Sequence, residues 1–195
     1  MEYGVFLTRA QPVTLAHVGC IRQMLSEVDH ALIIIGSANK SGMLRNPFPI
    51  SLRLEMMHGM IEDTFPEDRE RITVMPLSDL DYANSDNNPR WGKYLYDAIV
   101  DQTGSPNFAY YTGEPIEQST NWFGERLGRE ITPRLVELTD PNEIVTATDV
   151  RNAISISDTQ FLVNHCPMSV IERYYNLLLI LLKVYDNPLP DFSTL

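Results

Sequence analysis

Two short apolar runs, residues 3–7 (Tyr-Gly-Val-Phe-Leu) and 31–35 (Ala-Leu-Ile-Ile-Ile), are unbroken rather than alternating. Runs of this kind read as strands buried on both faces, which is the habit of parallel sheet. Between them Leu15, Val18, Ile21, Met24, Leu25 and Val28 recur at helical spacing behind Thr14, a good N-cap. Strand, helix and strand within about 35 residues make a βαβ unit with a right-handed crossover. The alternation continues. A helix is expected over 50–63, with Leu54, Met57, Met60 and Ile61 on its core face, then a strand over 72–77. A helix over 92–101, a strand over 107–111, a short helix over 117–127 and a strand over 131–138, weakened by Pro133, follow. This order predicts an α/β fold with a doubly wound parallel sheet. Residues 1–155 form the Rossmann-like domain, and 156–195 a C-terminal helical extension packed on it, ended by Pro188 and Pro190.

The turn between the first strand and first helix holds Arg9, Gln11 and Pro12. A strand-to-helix turn aims free N–H groups and the positive end of the helix dipole at one point, which suits a phosphate. Thr14 and His17 are three apart and project from one side of the first turn. A hydroxyl, an imidazole and a guanidinium thus converge on a possible anion site. The plainer alternative is a polar turn with a solvated His that packs little. Residues 37–48 form a long loop with two cations, Lys40 and Arg45. Residues 78–89 are rich in Asp, Asn and Ser around Tyr82, with Trp91 at the exit; Trp91 suits either core packing or stacking on a base. Thr146 and Thr148 offer hydroxyls at a helix start, and Arg151 shares the face of Thr148. That is either a plain N-cap or a second phosphate cradle.

Residues 8–17, Thr-Arg-Ala-Gln-Pro-Val-Thr-Leu-Ala-His, resemble the (T/H)-x-G-H signature of nucleotidyltransferases. The preceding part resembles the G-R-F-Q-P element of the nicotinamide-nucleotide adenylyltransferases. Arg9, Gln11, Pro12 and His17 fit; Thr14 replaces the first His, Thr8 and Ala16 replace glycines, and Ala10 replaces an aromatic. Gly36, Ser37, Ala38, Asn46, Pro47 and Phe48 match the family's G-S-A…N-P-F element. Arg53 matches the Arg of a following Glu-Arg pair, and Leu52 departs at the Glu. Asp79, Tyr82 and Trp91 look like the nicotinamide-binding element. Val145, Thr146, Thr148, Val150 and Arg151 fit the I-S-x-T-x-I-R motif.

The resemblance covers about residues 3–153 and implies a sheet of order 3-2-1-4-5 with the site beside strand 1. It implies transfer of AMP from ATP to nicotinamide mononucleotide, giving NAD and pyrophosphate by in-line attack. It places His17, with Arg9 and Thr14, on the triphosphate, and Gln11, Lys40, Arg45, Thr146, Thr148 and Arg151 on ATP. Gly36, Ser37, Asn46, Tyr82 and Trp91 would bind the mononucleotide. Mg²⁺ is expected through ATP phosphates and water, with no protein-made metal site. Two other readings are a pantetheine-phosphate adenylyltransferase-like enzyme and a non-catalytic nucleotide-binding regulator, the latter on the strength of Ala16 and Leu52.

The net charge of −11 argues against general nucleic-acid binding and requires a local basic cluster to draw in a polyanionic substrate. Cys20 and Cys166 read as buried free thiols. His30, His58 and His165 have no metal-site spacing. The longest apolar run, residues 177–182, is six residues, far short of a membrane span. No secretory signal is visible, so a cytoplasmic setting is expected. The tail from Ser157 is expected to be helical with Val170, Ile171, Tyr174, Leu178, Leu179 and Leu182 on its apolar face, and its last part is either deeply buried or a contact between copies of the chain.

Overall fold

In the computed structural model, which describes residues 2–80, 89–115 and 120–186, β1 (Tyr3–Thr8) runs parallel to β2 (His30–Ile35), in register from Tyr3 opposite His30 to Thr8 opposite Ile35. On its other side β1 pairs with β4 (Phe108–Thr112). β3 (Ile72–Pro76) and β5 (Ile131–Leu135) are the edges, giving the order β3-β2-β1-β4-β5, all parallel. The order reverses at β1, so a crevice opens at its C-terminal end.

The unbroken apolar runs are explained by burial on both faces. In β2, Ala31, Ile33 and Ile35 face one core cluster, while Leu32 and Ile34 face the other. The first cluster is covered by α1 (Leu15–Glu27), α2 (Ile50–Thr64), α4 (Ala147–Ser155), α5 (Thr159–His165), α6 (Met168–Ile171) and α7 (Tyr174–Asp186). The second is covered by α3 (Pro89–Thr103) and a 3-10 turn, Asn121–Arg126. Leu52, where the resembled motif carries Glu, is a core residue of the first cluster.

Several boundaries differ from the sequence expectation, each for a local reason. α3 starts at Pro89 rather than 92, as proline suits a first helical turn that needs no N–H donor. β5 ends at Leu135 because the Glu137 N–H turns to the Gln23 side chain (3.0 Å). The chain then crosses α1 at Gly19, where an added Cβ would meet Glu143 and Leu138. The helix expected over 117–127 is, within the described residues, the 3-10 turn, bent at Gly124 (φ 58°); residues 117–119 lie outside them.

Among the described residues the C-terminal tail is three helices. Pro167 caps α6 and separates it from α5. α7 buries Leu177, Leu181 and Val184, one step round from the expected face, and exposes Tyr175, Leu179 and Leu182. Pro188 and Pro190 lie outside the described residues. Both cysteines are free and buried. No described helix is long and apolar enough to cross a membrane.

α3 packs very closely on the 3-10 turn. A Cβ on Gly92 would run into the Trp122 carbonyl oxygen. Alanine raises helix propensity by about 1 kcal/mol, but this neighbour is backbone and cannot swing aside. Gly92→Ala is therefore expected to destabilise by about 1–3 kcal/mol, the usual cost of overpacking, as read by chemical denaturation. Unchanged or increased stability would contradict this packing.

Candidate active site

The crevice is built from two loops tied edge to edge. The first follows β1 and leads into α1; the second follows β2 and leads into α2. Gln11 joins them. Its Oε1 accepts the Phe48 N–H (2.9 Å) and its Nε2 donates to the Phe48 carbonyl (3.2 Å). The Gly36 N–H donates to the Thr8 carbonyl (2.8 Å). Ala10 and Ser37 each adopt the left-handed region, φ 48° and 50°, which costs a non-glycine residue energy that its surroundings must offset.

Arg53 supplies much of that offset. It is 0% exposed and donates to three backbone carbonyls: Arg9 (3.0 Å) and Gly36 (2.8 Å) from Nη1, and Ser37 (2.9 Å) from Nη2. Burial lowers its pKa to about 10, with Asp79 opposing and Arg9 adding, so it remains a cation at neutral pH. Sequence reasoning matched Arg53 to a motif but gave it no role. A signal existed: Arg53, Met57, Met60 and Ile61 share the helical stripe that faces the core.

At the head of α1, Thr14 is 0% and His17 8% exposed. The Thr14 N–H donates to His17 Nδ1 (3.0 Å), and the Thr14 hydroxyl lies 2.9 Å from the same nitrogen. His17 Nε2 lies 2.8 Å from the Thr8 hydroxyl oxygen. Phe6 packs edge-on against the ring at 6.1 Å. Burial lowers the imidazole pKa to about 4, with the Thr14 backbone contact opposing. The ring is therefore neutral at pH 7. Because Nδ1 accepts from a backbone N–H, the proton sits on Nε2. This corrects the expectation of a solvated first-turn His that packs little: both nitrogens hold the loop and cap the helix.

The second helix start comes to the same place. Arg151 donates from Nη1 to the Gln11 carbonyl (2.6 Å), 140 residues away in sequence, and from Nη2 to the Thr148 hydroxyl (3.0 Å). The Thr146 hydroxyl accepts from the Asp149 N–H (3.2 Å), and the Asp149 carboxylate accepts the Thr146 N–H (3.1 Å), a capping box for α4. Burial lowers the pKa of Arg151; Tyr185 opposes and the Arg9 charge adds. Arg53 at the Arg9 carbonyl and Arg151 at the Gln11 carbonyl thus bring two guanidiniums to the loop that carries Arg9, in a chain whose net charge is −11.

The other candidates are more scattered. Lys40 Nζ lies 3.2 Å from the Asp79 carboxylate, and Asn39 grips the Asp79 backbone through two hydrogen bonds. Arg45 is exposed, and Ser37 and Asn46 are buried. Trp91 is half-buried against the second core cluster, 5.6 Å from the Tyr94 ring. Tyr82 lies outside the described residues. Among the described residues no three His, Cys, Asp or Glu side chains gather as a metal site.

A parallel sheet reversing at β1, with two helix starts and a cationic cluster at that point, defines a Rossmann-like nucleotidyltransferase. Residues 5–185 match the family described as cytidylyltransferase-like. The nicotinamide-nucleotide adenylyltransferase of Thermococcus onnurineus is 31% identical over 149 residues, covering 76% of this chain and 70% of that one. That of Thermococcus sibiricus is 31% identical over 172 residues, covering 87% and 81%. The chain belongs to the cytidylyltransferase-like family, in its nicotinamide-nucleotide adenylyltransferase branch.

Similar solved structures include the NadR protein in complex with NR (TM-score 0.64, 19% identity, 89% of this chain and 45% of that one). A bifunctional NMN adenylyltransferase/ADP ribose pyrophosphatase from Francisella tularensis is also similar (TM-score 0.61, 19% identity, 78% and 42%). This chain spans less than half the length of those two proteins; the likeness is one of fold.

His17 makes stability depend on pH. Its folded pKa, about 4, lies below the ordinary 6.5, so the unfolded chain takes up the proton first. The contribution is full above about pH 6.5 and is lost as pH falls toward 4, at up to about 1.4 kcal/mol per pH unit. Denaturation of the wild type and His17→Asn across this range is expected to show a shallower slope for the variant. Parallel slopes would mean that His17 is not buried neutral.

Proposed function

We infer that the protein transfers the adenylyl group of ATP to nicotinamide mononucleotide, releasing pyrophosphate and forming NAD. The observation that carries this reading is the convergence of Arg53 and Arg151 on the loop that carries Arg9 at the end of β1, Arg53 at the Arg9 carbonyl and Arg151 reaching the Gln11 carbonyl from the second helix start. The names of the relatives support the choice of substrates.

A phosphate oxygen of the mononucleotide attacks the α-phosphorus of ATP, and the bond to the leaving pyrophosphate breaks. The nucleophile is already an anion, so the protein's task is positioning and charge stabilisation. Arg9 and Arg151 would hold the triphosphate, and Arg53 adds positive potential from beneath. Thr148 aims Arg151, while Thr146 caps the helix that carries it. Gln11 would act through its loop, since its amide is engaged by Phe48. Lys40 and Arg45 sit on the neighbouring loop as cations that would close over the phosphates. Gly36, Ser37, Asn46, Tyr82 and Trp91 remain the residues proposed for the mononucleotide. The donors at the first loop, guanidiniums and hydroxyls, suit phosphate oxygens rather than a metal. Mg²⁺ would arrive with ATP, held by its phosphates and water, and add charge compensation as pyrophosphate leaves.

The test is NAD formation from purified protein, ATP, Mg²⁺ and the mononucleotide; turnover of phosphopantetheine instead would overturn the assignment. Arg151→Ala is expected to lower turnover about 10²-fold or more and to weaken ATP, the scale of removing one donor from a preorganised anion site. Arg151→Lys keeps much of the ATP binding but loses turnover, because an ammonium cannot copy a bidentate grip. If Trp91 stacks on nicotinamide, Trp91→Ala weakens the mononucleotide by roughly 1–3 kcal/mol and spares ATP. A general fall in melting temperature with equal loss for both substrates would assign Trp91 to core packing.

A further inference from the structure

We propose that the group touching substrate phosphate at the end of β1 is the Thr8 hydroxyl, with His17 behind it as a positioning residue. This rests on reading the first loop as a phosphate site. Thr8 is the last residue of the central strand, where the sheet order reverses. It is half-buried, whereas His17 and Thr14 are more recessed, at 8% and 0% exposure.

The hydrogen-bond count assigns the roles. A neutral imidazole has one donor and one acceptor; a hydroxyl has one donor and two acceptor sites. His17 Nδ1 accepts from the Thr14 N–H at 3.0 Å. The single ring proton is therefore on Nε2, and it is given to Thr8 Oγ1 at 2.8 Å. Thr8 Oγ1 also accepts the Ala10 N–H at 3.2 Å. Both acceptor sites of the hydroxyl are then filled, and its own proton is left to donate. Among the described residues no hydrogen bond takes that proton.

The result is a directed chain from the Thr14 N–H through His17 to the Thr8 O–H. Hydrogen bonds in series polarise one another, so the terminal hydroxyl is a stronger donor to an anion than an isolated threonine. Direct donation by His17 would require Nε2–H to leave Thr8 while Thr14 and the edge of Phe6 hold the ring in place. The low imidazole pKa, set by burial, is consistent with a ring that stays neutral.

Thr8→Val keeps the shape and removes the hydroxyl; Thr8→Ser keeps the hydroxyl. The measurements are calorimetric binding of inorganic tripolyphosphate to the full chain, and KM and kcat for ATP. Thr8→Val is expected to weaken tripolyphosphate by about 10- to 100-fold, the loss of one hydrogen bond to a charged group, while Thr8→Ser binds nearly as the wild type does. Tighter or unchanged binding by Thr8→Val overturns the proposal, tighter binding meaning that His17 donates directly. So does a wild type that binds neither tripolyphosphate nor ATP.

The ¹⁵N resonances of His17 in the wild type give a test that needs no variant. Nε2 should be protonated and Nδ1 bare, before and after tripolyphosphate is added. A proton on Nδ1 or a charged ring overturns the proposal. The two readings fail separately. A wild type that binds tripolyphosphate through Thr8 but forms no NAD loses the adenylyl-transfer assignment alone. One that forms NAD while Thr8→Val binds equally well loses the Thr8 assignment alone.

Discussion

The candidate site depends on one buried cation. Arg53 is closed from solvent and holds the carbonyls of Arg9, Gly36 and Ser37, which belong to two different loops. Taking a guanidinium out of water costs several kcal/mol unless its donors are satisfied. Here the two terminal nitrogens are engaged, and the charge survives with a pKa of about 10. The same contacts hold both loops next to residues in the left-handed region, Ala10 and Ser37. Removing the guanidinium would leave three carbonyls without this donor and two costly backbone conformations less supported.

Charge is distributed against the overall field. The chain carries −11, yet Arg53 and Arg151 both reach backbone carbonyls of the loop that carries Arg9. Like charges brought together repel, and a bound polyanion would offset that repulsion. A site of this kind suits adenylyl transfer, where the nucleophile needs no activation and the developing charge on pyrophosphate needs fixed donors already in place. The donors described come from the end of the central strand and two helix starts.

The polar residues of the signature divide between structure and surface. Gln11 and Thr146 engage backbone groups, and the Thr14 N–H and hydroxyl meet the His17 ring, so all three hold loops and helix starts in shape. His17 does the same while passing its proton outward to Thr8. Arg151 meets both needs, bonded to a loop carbonyl and aimed by Thr148. A motif read residue by residue does not separate these duties, because the same side-chain types serve a cap and a ligand.

Local pattern was enough for the strands, the βαβ unit and the helix faces. Apolar runs and helical spacing are short-range properties, and each element buries the face that its own sequence marks. The strand order was legible only through resemblance to a family, and the residues alone left each candidate phosphate motif open between a ligand site and a plain polar turn or cap. Tertiary structure alone decided three things. It brought Arg151 to Gln11 across 140 residues, which no local spacing encodes. It turned α7 so that Leu177 and Leu181, not Leu179 and Leu182, meet the core, because an almost uniformly apolar helix does not mark its own buried side. It recessed His17, and it set which carbonyls Arg53 holds and which nitrogen of His17 bears a proton. Burial and hydrogen-bond partners belong to the folded surroundings, and a residue's protonation and role follow from them rather than from its place in the sequence.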